Sequence, residues 1–512
     1  MPLLSSLRRP LLAWLLGAIA PLASAAPAVA LERVELQLPS FQLSFDVKVR
    51  ELADPNLLLN GSSDLAEIDR ATDGALGRRI SELFAAPLPV TTTALVRHAV
   101  GTPMFEQALL VASTIGSIDG VPPDIDGSTL STALQRASAS GDLTIQSLLE
   151  ALPGQSATIN LEQALAGLVR LRNQFRPAHD LLARLPATPA AAPQASAAGV
   201  AGPLPTLRGT ASLPVKHRPA PLEVVVIRPE RQANGRLVVI SHGLWDGPPN
   251  FEGWARHLAG RGYTVLLPLH PGSDSDQQRA MLSGKVPPPG PQELRLRPMD
   301  VSAVIDAVGK GAIPEIGAVD SQRVVVIGHS WGATTAMQLA GVTPSARRLK
   351  ERCNKPADPE RNLSWVLQCS FLDAADRAAL ADPRVIAVAA VSPPLNLLFD
   401  HGAGKGMKAR ALLITGSRDW VVPSGPEAIQ RFYYPAQAGH QLVLANGGDH
   451  FNLRGVGEGG PLREVLLRWV EAAYAAGPGL APAPGARPLL PPAGWGDAEI
   501  PLILVPPSAL KP

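Results

Sequence analysis

The sequence predicts an α/β protein, a mostly parallel sheet with helices on both faces, preceded by a small, mainly helical domain. Three observations carry this. A stretch at 186–205, dominated by Pro and Ala, is too poor in large apolar residues to pack. After it, apolar runs of strand length alternate with helix-length amphipathic segments, and the runs are rich in Val, Ile and Leu, as in strands covered from two sides. Before it, apolar residues recur at helical spacing instead.

The amino end reads as a signal peptide over residues 1–30. Arg8 and Arg9 precede an apolar run at 11–22, and small residues follow at Ala23, Ala25, Ala28 and Ala30. Cleavage fits after Ala25 or after Ala30. A retained membrane anchor is the weaker reading, because the run falls short of the roughly 20 residues a span needs and Pro21 interrupts it. No later segment is apolar for long enough to span a bilayer, so an exported protein, periplasmic or secreted, is expected, with no membrane span after cleavage. At 512 residues, 46% hydrophobic, the chain buries a sizeable core and divides into two or three domains. Its 46 Lys and Arg stand against 44 Asp and Glu, so nothing in the charge balance favours nucleic acid as a partner.

Residues 31–185 form the expected accessory domain. Segments 34–37 and 42–47 alternate like a hairpin around Pro39-Ser40. Helical spacing then links Leu65, Ile68, Leu76, Ile80 and Phe84, and later Leu148, Leu149, Leu161, Leu165 and Leu168. No cluster of His, Cys or acidic residues here has ligand spacing. The catalytic domain is expected over 206–476, with strands at 222–227, 237–241, 264–268, 324–327, 385–391, 411–415 and 442–445. A Pro-rich tail follows at 477–512, in which 500–505 is a candidate edge strand.

Open α/β sheets place their crevices at the carboxyl ends of the strands, and the chemical groups are sought there. Gly328-His329-Ser330-Trp331-Gly332 runs from a strand into a helical sequence, a Ser-centred turn in which flanking glycines permit a strained elbow. A serine hydroxyl needs a base to take its proton and an acid to orient that base. Downstream, segment 411–415 leads to Asp419 and segment 442–445 to His450, in acid-then-His order on successive strand ends. Asp449 is the alternative acid, but beside the histidine in sequence it is better suited to shaping the loop. Acyl transfer also needs amides aimed at the developing oxyanion. Trp331, directly after the nucleophile, and Leu244, in the loop after 237–241, are the expected backbone N–H donors. Gly243 lets the loop turn close to the site, and His242 is read as loop-shaping.

An insertion at 341–383 is longer than a plain connection and is expected to cap the site. It holds Arg347, Arg348, Lys350 and Arg352, read as a solvated face or as cations for an anionic substrate. It also holds both cysteines, Cys353 and Cys369. Export makes a disulfide the favoured reading over two free thiols, contributing on the order of 3 kcal/mol. The glycine-rich stretch at 455–460 has no strand before it and is read as a flexible loop. Ten scattered histidines lack metal-ligand spacing, so no cofactor and no catalytic metal are expected.

These residues resemble the bacterial α/β-hydrolases similar to platelet-activating factor acetylhydrolase and dienelactone hydrolase, over about 220–475. The supporting stretches are Ser241-His242-Gly243, Gly262-Tyr263-Thr264, His270-Pro271-Gly272-Ser273, Arg297-Pro298-Met299-Asp300-Val301 and the Ser330 motif. Residues 31–185 look like a small helical domain of unknown function that precedes such hydrolases in some bacteria. Two features depart from the pattern. Dienelactone hydrolases use a cysteine nucleophile, whereas Ser330 stands here. In the animal acetylhydrolases the acid follows an earlier strand, yet 385–391 ends in Ser392-Pro393-Pro394, which leaves Asp419. The resemblance implies hydrolysis of a small-molecule ester, lipids among the candidates. A thioesterase or peptidase on the same three residues, or a binding module that keeps the fold without the chemistry, is the rival reading.

Overall fold

The computed structural model describes residues 31–86, 96, 98–114, 116–139, 143–185, 203–492 and 494–510. The expected signal peptide and most of the expected linker lie outside them. Among the described residues the strands are β1 (Arg33–Leu38), β2 (Leu43–Lys48), β3 (Gly116–Ile118), β4 (Ser156–Asn160), β5 (Thr206–Leu213), β6 (Leu222–Pro229), β7 (Arg236–Ser241), β8 (Thr264–Pro268), β9 (Asp320–His329), β10 (Val385–Val391), β11 (Arg410–Gly416), β12 (Gln441–Ala445), β13 (Trp495–Gly496) and β14 (Pro501–Val505).

Strand alternation sorts the main core into two layers. Leu237 and Val239 of β7, with Val324 and Val326 of β9, pack beneath helices Glu293–Gly309 and Trp331–Leu339. Val238, Ile240, Val325 and Ile327 face the other way, beneath helices Glu252–Ala259 and Arg463–Ala475. Because both faces are apolar, a one-residue slip would not expose either, and the glycines and polar groups at the strand ends must hold the register.

The sheet runs β13-β14-β12-β11-β10-β9-β7-β8-β6-β5. From β8 to β12 the pairings are parallel; the outer ones are antiparallel. β8 lies on one side of β7 and β9 on the other, so the chain leaves the ends of β7 and β9 toward opposite faces. The carboxyl ends of β7 and β9 therefore form a topological switch point, the place where α/β sheets bind ligands.

The helix Glu293–Gly309 carries Pro298, which has no N–H for the Leu294 carbonyl one turn back. Gln338 Nε2 donates to that carbonyl at 3.1 Å, so the interruption is satisfied by the neighbouring helix.

The amino-terminal region adds β3 and β4 to the expected hairpin, giving a four-stranded sheet β2-β1-β4-β3 among its helices. Its long helix Leu161–Arg184 docks on the larger domain: Gln174 Nε2 donates to the Arg361 carbonyl at 3.0 Å. A Cβ on Gly425 would stand 2.3 Å from the Gln174 carbonyl oxygen, so only glycine permits this approach.

Two expectations need correction. The segment after 477 is not all tail: the candidate edge strand at 500–505 is β14, which pairs with β12 and, with β13 beyond it, belongs to the large sheet. The loop at 455–460 is held rather than loose. Gly253 N–H donates to the Gly455 carbonyl at 3.0 Å and Trp254 Nε1–H to the Gly459 carbonyl at 3.0 Å. The cations of the insertion already have partners: Arg347 with Asp400, Lys350 with Asp376, Arg352 with Asp358 and Glu360, and Arg348 with Asn396. Arg347 and Lys350 stay more than half exposed, as the solvated-face reading expects. Cys353 and Cys369 are joined in a disulfide within this insertion.

Candidate active site

Ser330 follows β9 with φ 54° and ψ −123°, a conformation that costs an L-residue about 1–3 kcal/mol and persists only where surroundings impose it. They do so here. A Cβ on Gly328 would lie 2.1 Å from the Gly332 carbonyl oxygen, and one on Gly332 would lie 2.0 Å from that of Ser241. Both glycines of the motif are therefore required by backbone contact. Ser330 N–H donates to the Val391 carbonyl at 2.8 Å, tying the elbow to the end of β10.

Asp419 follows β11 and His450 follows β12. His450 Nδ1 and Asp419 Oδ2 are 3.0 Å apart, with Asp419 fully buried. The other carboxylate oxygen accepts the amides of Val421 and Val422 at 3.1 and 2.8 Å. An acceptor at Nδ1 keeps the proton there and leaves Nε2 free to accept. Asp449 Oδ1 accepts the amides of Phe451 and Asn452, both at 2.8 Å, and so closes the turn that presents His450. His329 Nε2–H donates to the His450 carbonyl at 2.9 Å, with the two rings 4.8 Å apart. Burial, with the charge His450 can carry, holds His329 well below the usual histidine range, so it remains a neutral brace. Among the described residues no hydrogen bond joins Ser330 Oγ to His450; such bonds are commonly long until substrate closes them.

The loop after β7 lies against Ser330: a Cβ on Gly243 would be 3.1 Å from the Ser330 Cβ. Trp245 N–H is bonded to the Ser273 carbonyl at 2.8 Å. The Trp331 amide belongs to the first turn of its helix, where N–H groups have no partner within the helix.

Beneath this loop lies a layer of buried charge. Asp300 accepts from His217 Nε2 at 2.8 Å, from Arg218 Nε and Nη2 at 2.9 and 2.6 Å, and from His270 Nδ1 at 2.9 Å. Arg218 Nη1 also reaches Glu293 Oε1 at 2.6 Å. Burial alone would raise the Asp300 carboxyl, but these donors outweigh it and hold the group well below the usual range. Burial, helped by the Arg297 charge, lowers His270 to about 4. Its Nε2 is paired with the Ser241 hydroxyl at 2.9 Å, and its main-chain N–H donates to His242 Nε2 at 3.0 Å. His242 therefore carries its proton on Nδ1 and donates to the Gly243 carbonyl at 2.8 Å. Sequence reasoning did not assign this layer. The available signal was the spacing of Glu293, Arg297 and Asp300, which puts three charges on one face of a single helix.

Trp420 and Phe451 flank the acid and the histidine, both about half exposed, with rings 6.2 Å apart. A cavity of about 580 Å³ lies elsewhere, in the amino-terminal region, lined by Leu31, Val34, Ile118, Leu149 and Leu152 among others. No lining residue belongs to the site around Ser330.

No curated protein matches the chain. A family model described as alpha/beta hydrolase fold matches residues 236–383, a span that holds the β7 loop, the buried charges of the Glu293–Gly309 helix and Ser330. With the parallel sheet and its switch point, that match gives the chain an α/β-hydrolase fold and the general character of a hydrolase.

Proposed function

We propose that this protein hydrolyses carboxylic esters through an acyl-enzyme on Ser330. The observation that carries the reading is the 3.0 Å contact of His450 Nδ1 with the buried Asp419, next to a serine on a strained elbow. Ser330 Oγ attacks the ester carbonyl carbon while His450 Nε2 takes the hydroxyl proton, and Asp419 keeps the imidazole oriented and stabilises its charged form. The Leu244 and Trp331 amides bind the oxyanion, a contribution of about 3–4 kcal/mol per donor. Collapse of the tetrahedral adduct expels the alcohol, which receives the proton from His450. Water, deprotonated by the same nitrogen, then attacks the acyl-enzyme and releases the acid.

Exposed Trp420 and Phe451 support a substrate with an apolar acyl or alcohol part, a small-molecule ester of short-chain or lipid-like character, and the signal-peptide pattern of residues 1–30 supports an encounter outside the cytoplasm. The deciding experiment is Ser330→Ala on a panel of p-nitrophenyl esters, thioesters and peptides, with fluorophosphonate labelling of the parent. Loss of ester turnover with the serine is expected. Ester hydrolysis at the parental rate in S330A would overturn the reading, and turnover of thioesters or peptides alone would reassign the substrate class.

A further inference from the structure

Arg297 is fully buried, yet the site just described gives it no direct part. Its Nη2 donates to the His242 carbonyl at 2.7 Å and to the Gly243 carbonyl at 3.1 Å. Its guanidinium carbon lies over the Trp331 ring, 4.7 Å from the centroid. Among the described residues Nε and Nη1, both buried, have no hydrogen-bond partner. Among the described residues no carboxylate is paired with it; Glu293 and Asp300, the acids acting most strongly on it, do so through space. A buried cation with two orphaned donors is costly, so its persistence calls for an explanation.

We propose that Arg297 is the positioning residue of the oxyanion hole, polarising the Gly243–Leu244 peptide from behind and holding Trp331 in place through its indole. The inference rests on the reading that the Leu244 and Trp331 amides receive the oxyanion.

The peptide bond supplies the mechanism. The Gly243 carbonyl and the Leu244 N–H belong to one planar, resonance-coupled unit and point in opposite directions. A cationic donor on the oxygen draws electron density along that unit and makes the opposite N–H a stronger donor, an effect strengthened in a low-dielectric interior. The same carbonyl also accepts His242 Nδ1–H, so two donors pull on it. With its oxygen held from behind, the peptide cannot flip, and the Leu244 N–H stays turned toward the nucleophile. Trp331 supplies the second amide from its backbone while its ring supports the guanidinium, so one side chain couples both halves of the hole. The Arg218–Asp300–Glu293 layer fixes the helix from which Arg297 projects, and His270 fixes the His242 tautomer.

The test compares Arg297→Gln and Arg297→Lys with the parent on p-nitrophenyl acetate, with rates expressed per fluorophosphonate-titrated serine. Merely damaged folding lowers the number of titrated sites; loss of positioning lowers turnover at each one. Removing a true oxyanion donor costs about 10²–10³-fold; one step removed, kcat in R297Q should fall about 10- to 100-fold with KM within about twofold. R297K keeps a charge that reaches one carbonyl and should fall less. Affinity for a trifluoromethyl ketone, which forms the tetrahedral oxyanion, should weaken in step with kcat/KM. If R297Q gives no titratable protein, R297K decides alone, with a drop of about 3- to 10-fold in kcat expected. Parental kcat and ketone affinity in a folded variant would overturn the proposal. Retained ester hydrolysis in S330A would instead defeat the functional reading on which it rests, so the two failures are distinct.

Discussion

Asp419 divides its two carboxylate oxygens between two tasks: Oδ1 holds the amides of Val421 and Val422, and Oδ2 meets His450 Nδ1 at 3.0 Å. The loop and the imidazole are thus oriented by one buried group.

The substitution Asp419→Asn keeps an oxygen for the loop but can turn an N–H toward Nδ1. The histidine proton then moves to Nε2, where no proton can be taken from Ser330. A fall in kcat of about 10³- to 10⁴-fold is expected with the fold intact. Steady-state kinetics with a circular-dichroism melt check this, and a D419N enzyme of parental kcat would remove Asp419 from the mechanism.

Gly332 faces backbone that cannot step aside, since its Cβ would stand 2.0 Å from the Ser241 oxygen. Gly332→Ala should lower the unfolding free energy by about 1–3 kcal/mol or more and abolish fluorophosphonate labelling. Gly406, with no atom within 4 Å of its would-be Cβ, supplies the control. If G332A and G406A are equally stable and equally labelled, the elbow is not held as described.

The disulfide spans a sequence separation of 16 residues, which corresponds to about 3 kcal/mol of loop constraint. Its loop contains Pro356 and Arg361, whose carbonyls accept Arg170 and Gln174 of the amino-terminal helix. Replacing both cysteines with alanine should lower the urea midpoint and speed amide exchange across 161–184 as well as 354–368. Unchanged exchange in the amino-terminal helix would show that the two regions are not coupled through this loop.

Acid should destabilise the fold well before the carboxylates titrate. Burial lowers His270 and His440 to about 4 from an ordinary 6.5. The unfolded chain takes up protons at these sites near 6.5 while the folded chain does not. Their contribution is therefore complete above pH 6.5 and is lost as pH falls toward 4, on the order of 3 kcal/mol for each. His440 Nδ1 accepts the Ala411 amide at 3.0 Å, so a proton there would face another donor. Urea midpoints between pH 7 and 4 test this. In H440Q the slope should flatten by one proton, and an unaltered slope would exclude His440 as a source.

The legible parts of the molecule were those where one local pattern sufficed. The bounds of β8 and β10 are legible because their apolar runs stop at Pro268 and at Ser392-Pro393. Ser330, Asp419 and His450 could be picked out because each follows a strand end. β3 and β4 left little trace: β3 has three residues, and β4 pairs in parallel with β1 from more than a hundred residues away. β5 was missed for a related reason, its apolar residues being sparse along an outer strand interrupted by Gly209. The buried charge layer escaped because Arg218, His270 and Asp300 are far apart in sequence and meet only in three dimensions.

The strand β14 has a practical corollary. The chain before it, from Gly477 on, reads as spacer, yet the Pro501 carbonyl accepts the amide of Asn446, in the turn leading to His450. Proteolytic loss of the chain beyond helix Arg463–Ala475 would bare the amide row of β12, a template for self-association. The same cut would slacken the turn that presents His450. Aggregation and inactivation would then arrive together, and a preparation clipped at this end would look misfolded when it had lost only its selvage.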